Sequence, residues 1–262
     1  MTATPGRPYR IGLIVPSSNT TMETEIPQLL QRQKAGSPRF SFHSARLRLT
    51  QVTPEALKAM NDSAESAVDA LGDAQVDAIM YACLVAVMSG GRRCMCDTHA
   101  RLAERAATPT RRPSVITSAG ALVSGLKALQ AQRVTLIAPY RKPLTAQVSA
   151  ALAEYGIEVV QSRSLEVVDN VAVGRLDQAK LLSIASQLDY SGSDALVLSA
   201  CVQMPSLDVI EEAEQKLGLP VISAATASAF DLLNQLDIVP AIANAGSLLR
   251  AATSARRQAM TS

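Results

Sequence analysis

Apolar residues along this chain alternate between short unbroken runs of strand length and longer stretches with helical spacing. Residues 11–15 (Ile-Gly-Leu-Ile-Val) form the first run, stopped by Pro16. Ser17-Ser18-Asn19-Thr20-Thr21 comes next, rich in side chains that cap helices, and leads into a helix through about Gln33 with Glu23 and Glu25 in its first turn. Residues 39–49 alternate and predict a second strand. Thr53-Pro54-Glu55 opens a helix that puts Leu57, Met60, Ala64, Val68 and Leu71 on one face. A third strand, 76–83, ends in Ala82-Cys83. Gly90-Gly91 breaks the chain before a helix to about Ala107, and 113–117 predict a fourth strand, followed by a helix to about Gln130.

The series then restarts. Residues 134–139 match 11–16, terminal proline included, and a helix with Leu144, Val148, Leu152 and Tyr155 on one side comes after them. A strand begins at Ile157, and the Asp169-Asn170 loop and a helix from about Leu176 lead into a second strand ending in Ala200-Cys201. Pro220 to Ala225 then repeat Pro113 to Ala119. Leu136 lies 123 residues after Leu13, Cys201 lies 118 after Cys83, and Val221 lies 106 after Val115. Three landmarks in one order indicate a duplication with small deletions. Continuous apolar runs suit strands covered on both faces, and strand–helix alternation implies parallel sheets with right-handed crossovers.

The expected fold is therefore α/β, with two pseudo-symmetric lobes, each a four-stranded parallel sheet flanked by helices, and an active site in the cleft between them. We expect residues 1–117 plus about 224–262 in the first lobe and 118–223 in the second, because the helices after the fourth and eighth strands would cross over.

Composition narrows the functional classes. At 262 residues, 48% hydrophobic and 18% charged, the chain has ordinary globular composition, with a core of Ala, Val, Leu and Ile because aromatics make up only 3%. A net charge of +2 with scattered bases argues against nucleic-acid or membrane partners. Residues 1–10 lack the apolar stretch of a signal peptide, which leads us to expect a cytoplasmic protein with reduced cysteines. An apolar helix over 241–252 points to a homodimer.

Two cysteines at matched strand ends are the chemical feature to explain. A lone cysteine there would read as a small core residue. Paired at the carboxyl ends of parallel strands, where ligands bind, and at the mouth of a following helix or turn, they read as reactive thiols. Cys94-Met95-Cys96 with His99 lacks the spacing of a structural zinc site, so no metal is expected.

These residues carry a resemblance. Two α/β lobes with one cysteine each are similar to the aspartate/glutamate racemase superfamily. Within it, residues 15–25 (Val-Pro-Ser-Ser-Asn-Thr-Thr-Met-Glu-Thr-Glu), Tyr81-Ala82-Cys83-Leu84-Val85 and Ser199-Ala200-Cys201 resemble the maleate cis–trans isomerases. Amino-acid racemases commonly follow their cysteines with Thr or Ser, where Leu84-Val85 and Val202-Gln203 stand here. Arylmalonate decarboxylases generally keep only the second cysteine.

The resemblance implies thiolate addition to an alkene, with Cys83 as nucleophile and Cys201 as opposing acid or base, and no cofactor. The substrate would be a small dicarboxylate, maleate. Its carboxylates would need preorganised neutral donors. Asn19 and Tyr140 occupy matching positions beyond the first and fifth strands, Ser17 and Asn170 are further donors, and the resemblance also points to Asn170. The amides of Val85 and Val202 would complete the cradles. Ser17 and Asn19 equally fit helix caps, and Arg141 and Lys142 fit a solvated surface. Two rivals remain: a racemase using the same cysteines, which must wash solvent deuterium into its substrate, and a dicarboxylate-binding regulator, which would not need thiols.

Overall fold

The computed structural model describes residues 7–34 and 36–250. The first half opens with β1 (Tyr9–Pro16), α1 (Met22–Gln31), β2 (Phe40–Leu47), α2 (Pro54–Asp62), α3 (Ala64–Asp73) and β3 (Ala78–Tyr81). It continues through α4 (Leu84–Met88), α5 (Gly91–Ala106), β4 (Ser114–Thr117) and α6 (Ser118–Ala128). The second half has β5 (Arg133–Ala138), α7 (Lys142–Ala153), β6 (Glu158–Ser164), α8 (Asn170–Val173), α9 (Gln178–Ala185) and β7 (Ala195–Ser199). A 3-10 turn at Leu207–Val209, α10 (Ile210–Leu217), β8 (Val221–Ser223) and α11 (Ala224–Gln235) complete it.

Each half carries a four-stranded parallel sheet, ordered β2-β1-β3-β4 and β6-β5-β7-β8. The equal order bears out the repeat read from the landmarks. Burial explains the two kinds of strand pattern. All residues of the inner strands β3 and β7 are buried, so their sequences are unbroken apolar runs. The edge strands β2 and β6 are mostly half-buried or exposed, and polar residues enter them. Helix α11 packs on α6 and reaches α1, β3 and β4 of the first sheet.

Several local expectations need correction. The helix expected over 53–71 is two, α2 and α3, broken where the Ser63 hydroxyl donates to the Ala59 and Met60 carbonyls at 3.1 and 2.9 Å. Such back-bonding competes with the helical ladder, yet Leu57, Met60, Ala64, Val68 and Leu71 all stay buried. The 169–170 loop is instead the start of a helical turn, with Asp169 capping the Val171 N–H at 2.9 Å.

The apolar helix expected over 241–252 is not formed across 241–250, and the remaining two positions lie outside the described residues. Asn244 and Gly246 take left-handed backbone, φ 54° and 80°, which ends any helix there. Ile242, Ala245, Leu248 and Leu249 turn into the core rather than forming a face for a second subunit, and the sequence ground for a homodimer goes with them. No described helix is long and apolar enough to cross a membrane.

Candidate active site

Four strands deliver the site, and they are the two central strands of each sheet. In the order β2-β1-β3-β4 the chain leaves β1 for one side and β3 for the other, so the loops beyond their carboxyl ends diverge and leave a crevice. The same holds for β5 and β7. Loop 17–21 lies beyond β1, Cys83 beyond β3, Tyr140 beyond β5 and Cys201 beyond β7. Both cysteines thus stand at the point where their sheet switches direction.

The Cys83, Cys201 and Tyr140 side chains lie near enough to act on one another. Charge on Cys201 raises the pKa of Cys83, and charge on either sulfur raises that of Tyr140. Cys83 is buried at the N-cap of α4, a short helix whose five residues are all buried. Burial pushes its thiol up to about 12; the Ala86 amide pulls the other way and a Cys201 thiolate adds to the rise. Cys201 is half-buried. Burial raises its thiol too, but the Tyr140 hydroxyl and the Gln203 and Met204 amides all favour its thiolate. Tyr140 is buried, which holds its phenol well above 10 and keeps it a donor; its one proton is divided between the Cys201 sulfur and the Ala200 carbonyl, 3.1 Å away.

The amides that act on the sulfurs are a separate set from the Val85 and Val202 amides expected to cradle the carboxylates. Val85 and Val202 are buried beside the sulfurs, but the N–H groups that act on them belong to Ala86, Gln203 and Met204. Helix α4 starts at Leu84, and a side chain at its N-cap faces the amides two and three residues on.

Of the expected polar donors, Asn19 is almost wholly buried, and its Oδ1 accepts from the Thr21 and Met22 amides at 2.9 and 3.1 Å, which caps α1. Its Nδ2 has no protein acceptor among the described residues and remains a donor. Ser17 is exposed, and its hydroxyl accepts from the Leu49 amide at 2.9 Å. It ties down the neighbouring loop instead of facing the thiols. Its neighbour Ser18 faces inward, accepting from Asn170 Nδ2 at 2.5 Å. Asn170 is buried at the start of α8. Arg141 and Lys142 are exposed.

Sequence reasoning passed over the side chains that lock the halves together. Gln203 Nε2 donates to the Ser18 carbonyl at 3.0 Å and to the Asn170 carbonyl, while Thr21 Oγ1 donates to the Gln203 carbonyl at 2.6 Å. Arg46 donates to the Ser17 and Asn19 carbonyls at 2.9 and 2.8 Å and pairs with Glu23, which braces the loop from outside. Gln203 stands two residues past the second cysteine, and that proximity was the one available signal. Among the described residues no cluster of His, Cys, Asp or Glu is placed to hold a metal. His99 hydrogen-bonds the Val115 carbonyl at 3.1 Å, and Cys96 lies 3.9 Å from the Tyr155 hydroxyl.

A duplicated parallel α/β fold with one strand-end thiol in each half defines a recognisable class. The arylmalonate decarboxylase family model matches residues 11–249. A maleate isomerase from Geobacillus stearothermophilus is 49% identical over 92% of this chain and 97% of its own length. The chain belongs to the family of maleate isomerases and arylmalonate decarboxylases, and it is an enzyme of the isomerase kind. Among solved structures, a cysteine-to-serine variant of the Nocardia farcinica maleate cis–trans isomerase, holding a covalently bound succinylcysteine intermediate, superposes with a TM-score of 0.90. It is 49% identical, over 93% of this chain and 99% of that one. A cysteine-to-alanine variant of a Pseudomonas putida maleate isomerase with maleate gives 0.91 at 43% identity, over 94% and 99%.

Proposed function

We propose that this enzyme converts maleate to fumarate without a cofactor, through a covalent adduct on Cys83. The observation that carries the reading is the pair of thiols at matched strand ends, where charge on Cys201 raises the Cys83 pKa and charge on either sulfur raises that of Tyr140. Two thiolates there repel, so the pair keeps at least one proton, and the reaction starts from the form that has lost the other. Cys201, with three donors on its sulfur, is the readier thiolate and takes the proton of Cys83.

The freed Cys83 electron pair then bonds one alkene carbon. The π pair moves onto the far carbon and its carboxylate as an enediolate. Cys201 returns its proton to that carbon, which gives a succinyl thioether whose central bond is single and free to turn. Removal of the proton by Cys201 and expulsion of the Cys83 thiolate re-form the double bond in the trans arrangement. Atoms and electrons balance, and no redox partner enters. The succinylcysteine of the Nocardia isomerase is the intermediate this sequence requires.

Asn19 Nδ2 and the Asn170 amide would hold the two carboxylates as neutral donors in place before the charge develops, and the Tyr140 hydroxyl would join them by turning from the Ala200 carbonyl. Buried, uncharged donors suit a step in which one carboxylate gains charge and then gives it back.

The test is to incubate the wild-type protein and Cys201→Ser with maleate, quench in acid and map peptides by mass. A succinyl adduct on Cys83, accumulating in the serine variant, is expected. No adduct on either cysteine would refute covalent catalysis, and an adduct on Cys201 in Cys83→Ser would reverse the two roles.

A further inference from the structure

Glu25 is a buried carboxylate that the proposed isomerisation does not use. It lies one turn past Thr21 on α1, so the two side chains share a helix face. That face meets the turn after Cys201. Thr21 grips the turn at the Gln203 carbonyl, 2.6 Å away, and Glu25 Oε1 accepts from the Ser206 and Leu207 amides at 2.7 and 2.8 Å. The Gln203 and Met204 amides that act on the Cys201 sulfur belong to the same turn. Oε2 of Glu25 is buried with no partner.

An unneutralised carboxylate in such a place is costly, and an apolar side chain of similar volume would fill the space more cheaply. What the carboxylate supplies is two charge-assisted hydrogen bonds, stronger than neutral ones, to backbone that would otherwise have no acceptor. Those bonds join the first half of the chain to the second cysteine.

We propose that Glu25 is a positioning residue for Cys201: from α1 it fixes the 203–207 turn, and through that turn it sets how readily the second thiol gives up its proton. This rests on the reading of Cys201 as acid and base. Burial raises the Glu25 carboxyl to about 7, against the pull of the two amides; Asp208 adds to the rise and Arg32 opposes it, and these two pair at 3.3 Å. On α11, the other helix packed along α1, the Asp231 carboxyl is raised by burial, with Gln235 and His99 opposing.

The experiment compares wild type with Glu25→Gln and Glu25→Leu. Per-cysteine alkylation by iodoacetamide is combined with peptide mapping from pH 5.5 to 8.5, with kcat and KM for maleate in parallel. Glutamine mimics the protonated carboxyl. It should therefore match wild type below pH 6 and fall behind it above pH 7, where the native side chain is charged. At pH 8 we expect Glu25→Leu to slow Cys201 alkylation at least fivefold with Cys83 within twofold, and to lower kcat more than tenfold with KM little changed.

An unchanged or faster Cys201, an equal change at both thiols, or a Gln-to-wild-type ratio constant with pH would overturn the proposal. Alkylation needs no substrate, so a wild-type protein that leaves maleate untouched would sink the proposed reaction without touching this arm.

Discussion

Cys83 and Cys201 stand at the same place in two copies of one sheet, yet unlike surroundings make them different reagents. After β3 the chain enters helix at once, and buried Cys83 caps a helix whose five residues, Leu84–Met88, are apolar and buried, with one amide acting on its sulfur. After β7 there is a turn instead. The Ser199 hydroxyl donates to the Cys201 and Met204 carbonyls at 2.8 and 3.1 Å, the turn presents two amides to the sulfur, and Tyr140 adds a third donor. A thiolate in an apolar shell is poorly stabilised and strongly nucleophilic once formed; a thiolate held by three donors is a proton store. Duplication supplied equal positions, and the segment after each strand divided the labour.

The harshest way to break this comparison is to remove the sulfurs in turn. Cys83→Ala and Cys201→Ala should each lower kcat for maleate at least about a thousandfold, because residues acting as one unit fail together. Circular dichroism should stay native, since both changes only trim buried side chains. Substantial turnover by either variant would mean that one thiol suffices and the asymmetry has no catalytic meaning.

Tyr140→Phe attacks one side only. Loss of a preorganised donor costs roughly a hundredfold in kcat. Iodoacetamide should label Cys201 more slowly in this variant while Cys83 labels as before. Equal slowing of both thiols would show that Tyr140 serves the shared space and not Cys201 in particular.

Much of the fold and of the thiol pair was legible in the chain itself, for physical reasons. Strands β3 and β7 are buried on both faces, so their composition is constrained enough to read twice, and a cysteine at the end of each run is visible without coordinates. Directions within loops are not legible in that way. Ser17 and Ser18 are neighbours of one type, and only the torsions of the loop decide that Ser18 meets Asn170 while Ser17 meets Leu49. Contacts between distant segments, such as Thr21 with Gln203 and Glu25 with Ser206, arise from how the halves dock, which no local pattern encodes. The segment 241–250 misled because its apolar residues are core residues of a loop, spaced by chance like a helix.

Asn19 combines a structural job with a binding one, and one substitution separates them. Asn19→Asp keeps the Oδ1 that caps α1 and replaces the Nδ2 donor with a charged oxygen. Thermal stability should fall at neutral pH, because the new charge is buried and the helix N-terminus offsets only part of that cost, and it should recover as acid neutralises the carboxyl. KM for maleate should rise at least about tenfold through repulsion of the dianion. An unchanged KM would leave Asn19 as a cap alone.

The mildest effect concerns the support of the Cys201 turn, and its sign is fixed by linkage. The Glu25 carboxyl is raised from 4.5 to about 7 in the fold, chiefly by burial. Its contribution to stability is therefore fully present below the unfolded carboxylate pKa and is lost as pH rises through about 7. Other carboxylates work in the opposite sense: Asp77 is held low by Arg7, the Arg10 amide and Arg111 against the cost of burial, and such groups weaken the fold as acid protonates them. A raw melting curve mixes the two kinds, so the useful quantity is the difference between wild type and Glu25→Gln. Glutamine stays neutral throughout. The variant should gain on wild type by a few degrees in Tm between pH 5.5 and 8, over the same range in which its Cys201 loses reactivity. Stability and readiness of the second thiol would then move in opposite directions with one proton, whereas Cys83, which has no such support, should stay level. A Tm difference that is flat across that range would mean that the Glu25 carboxyl does not change its charge there, and the unequal support of the two thiols would have to come from the hydrogen bonds alone.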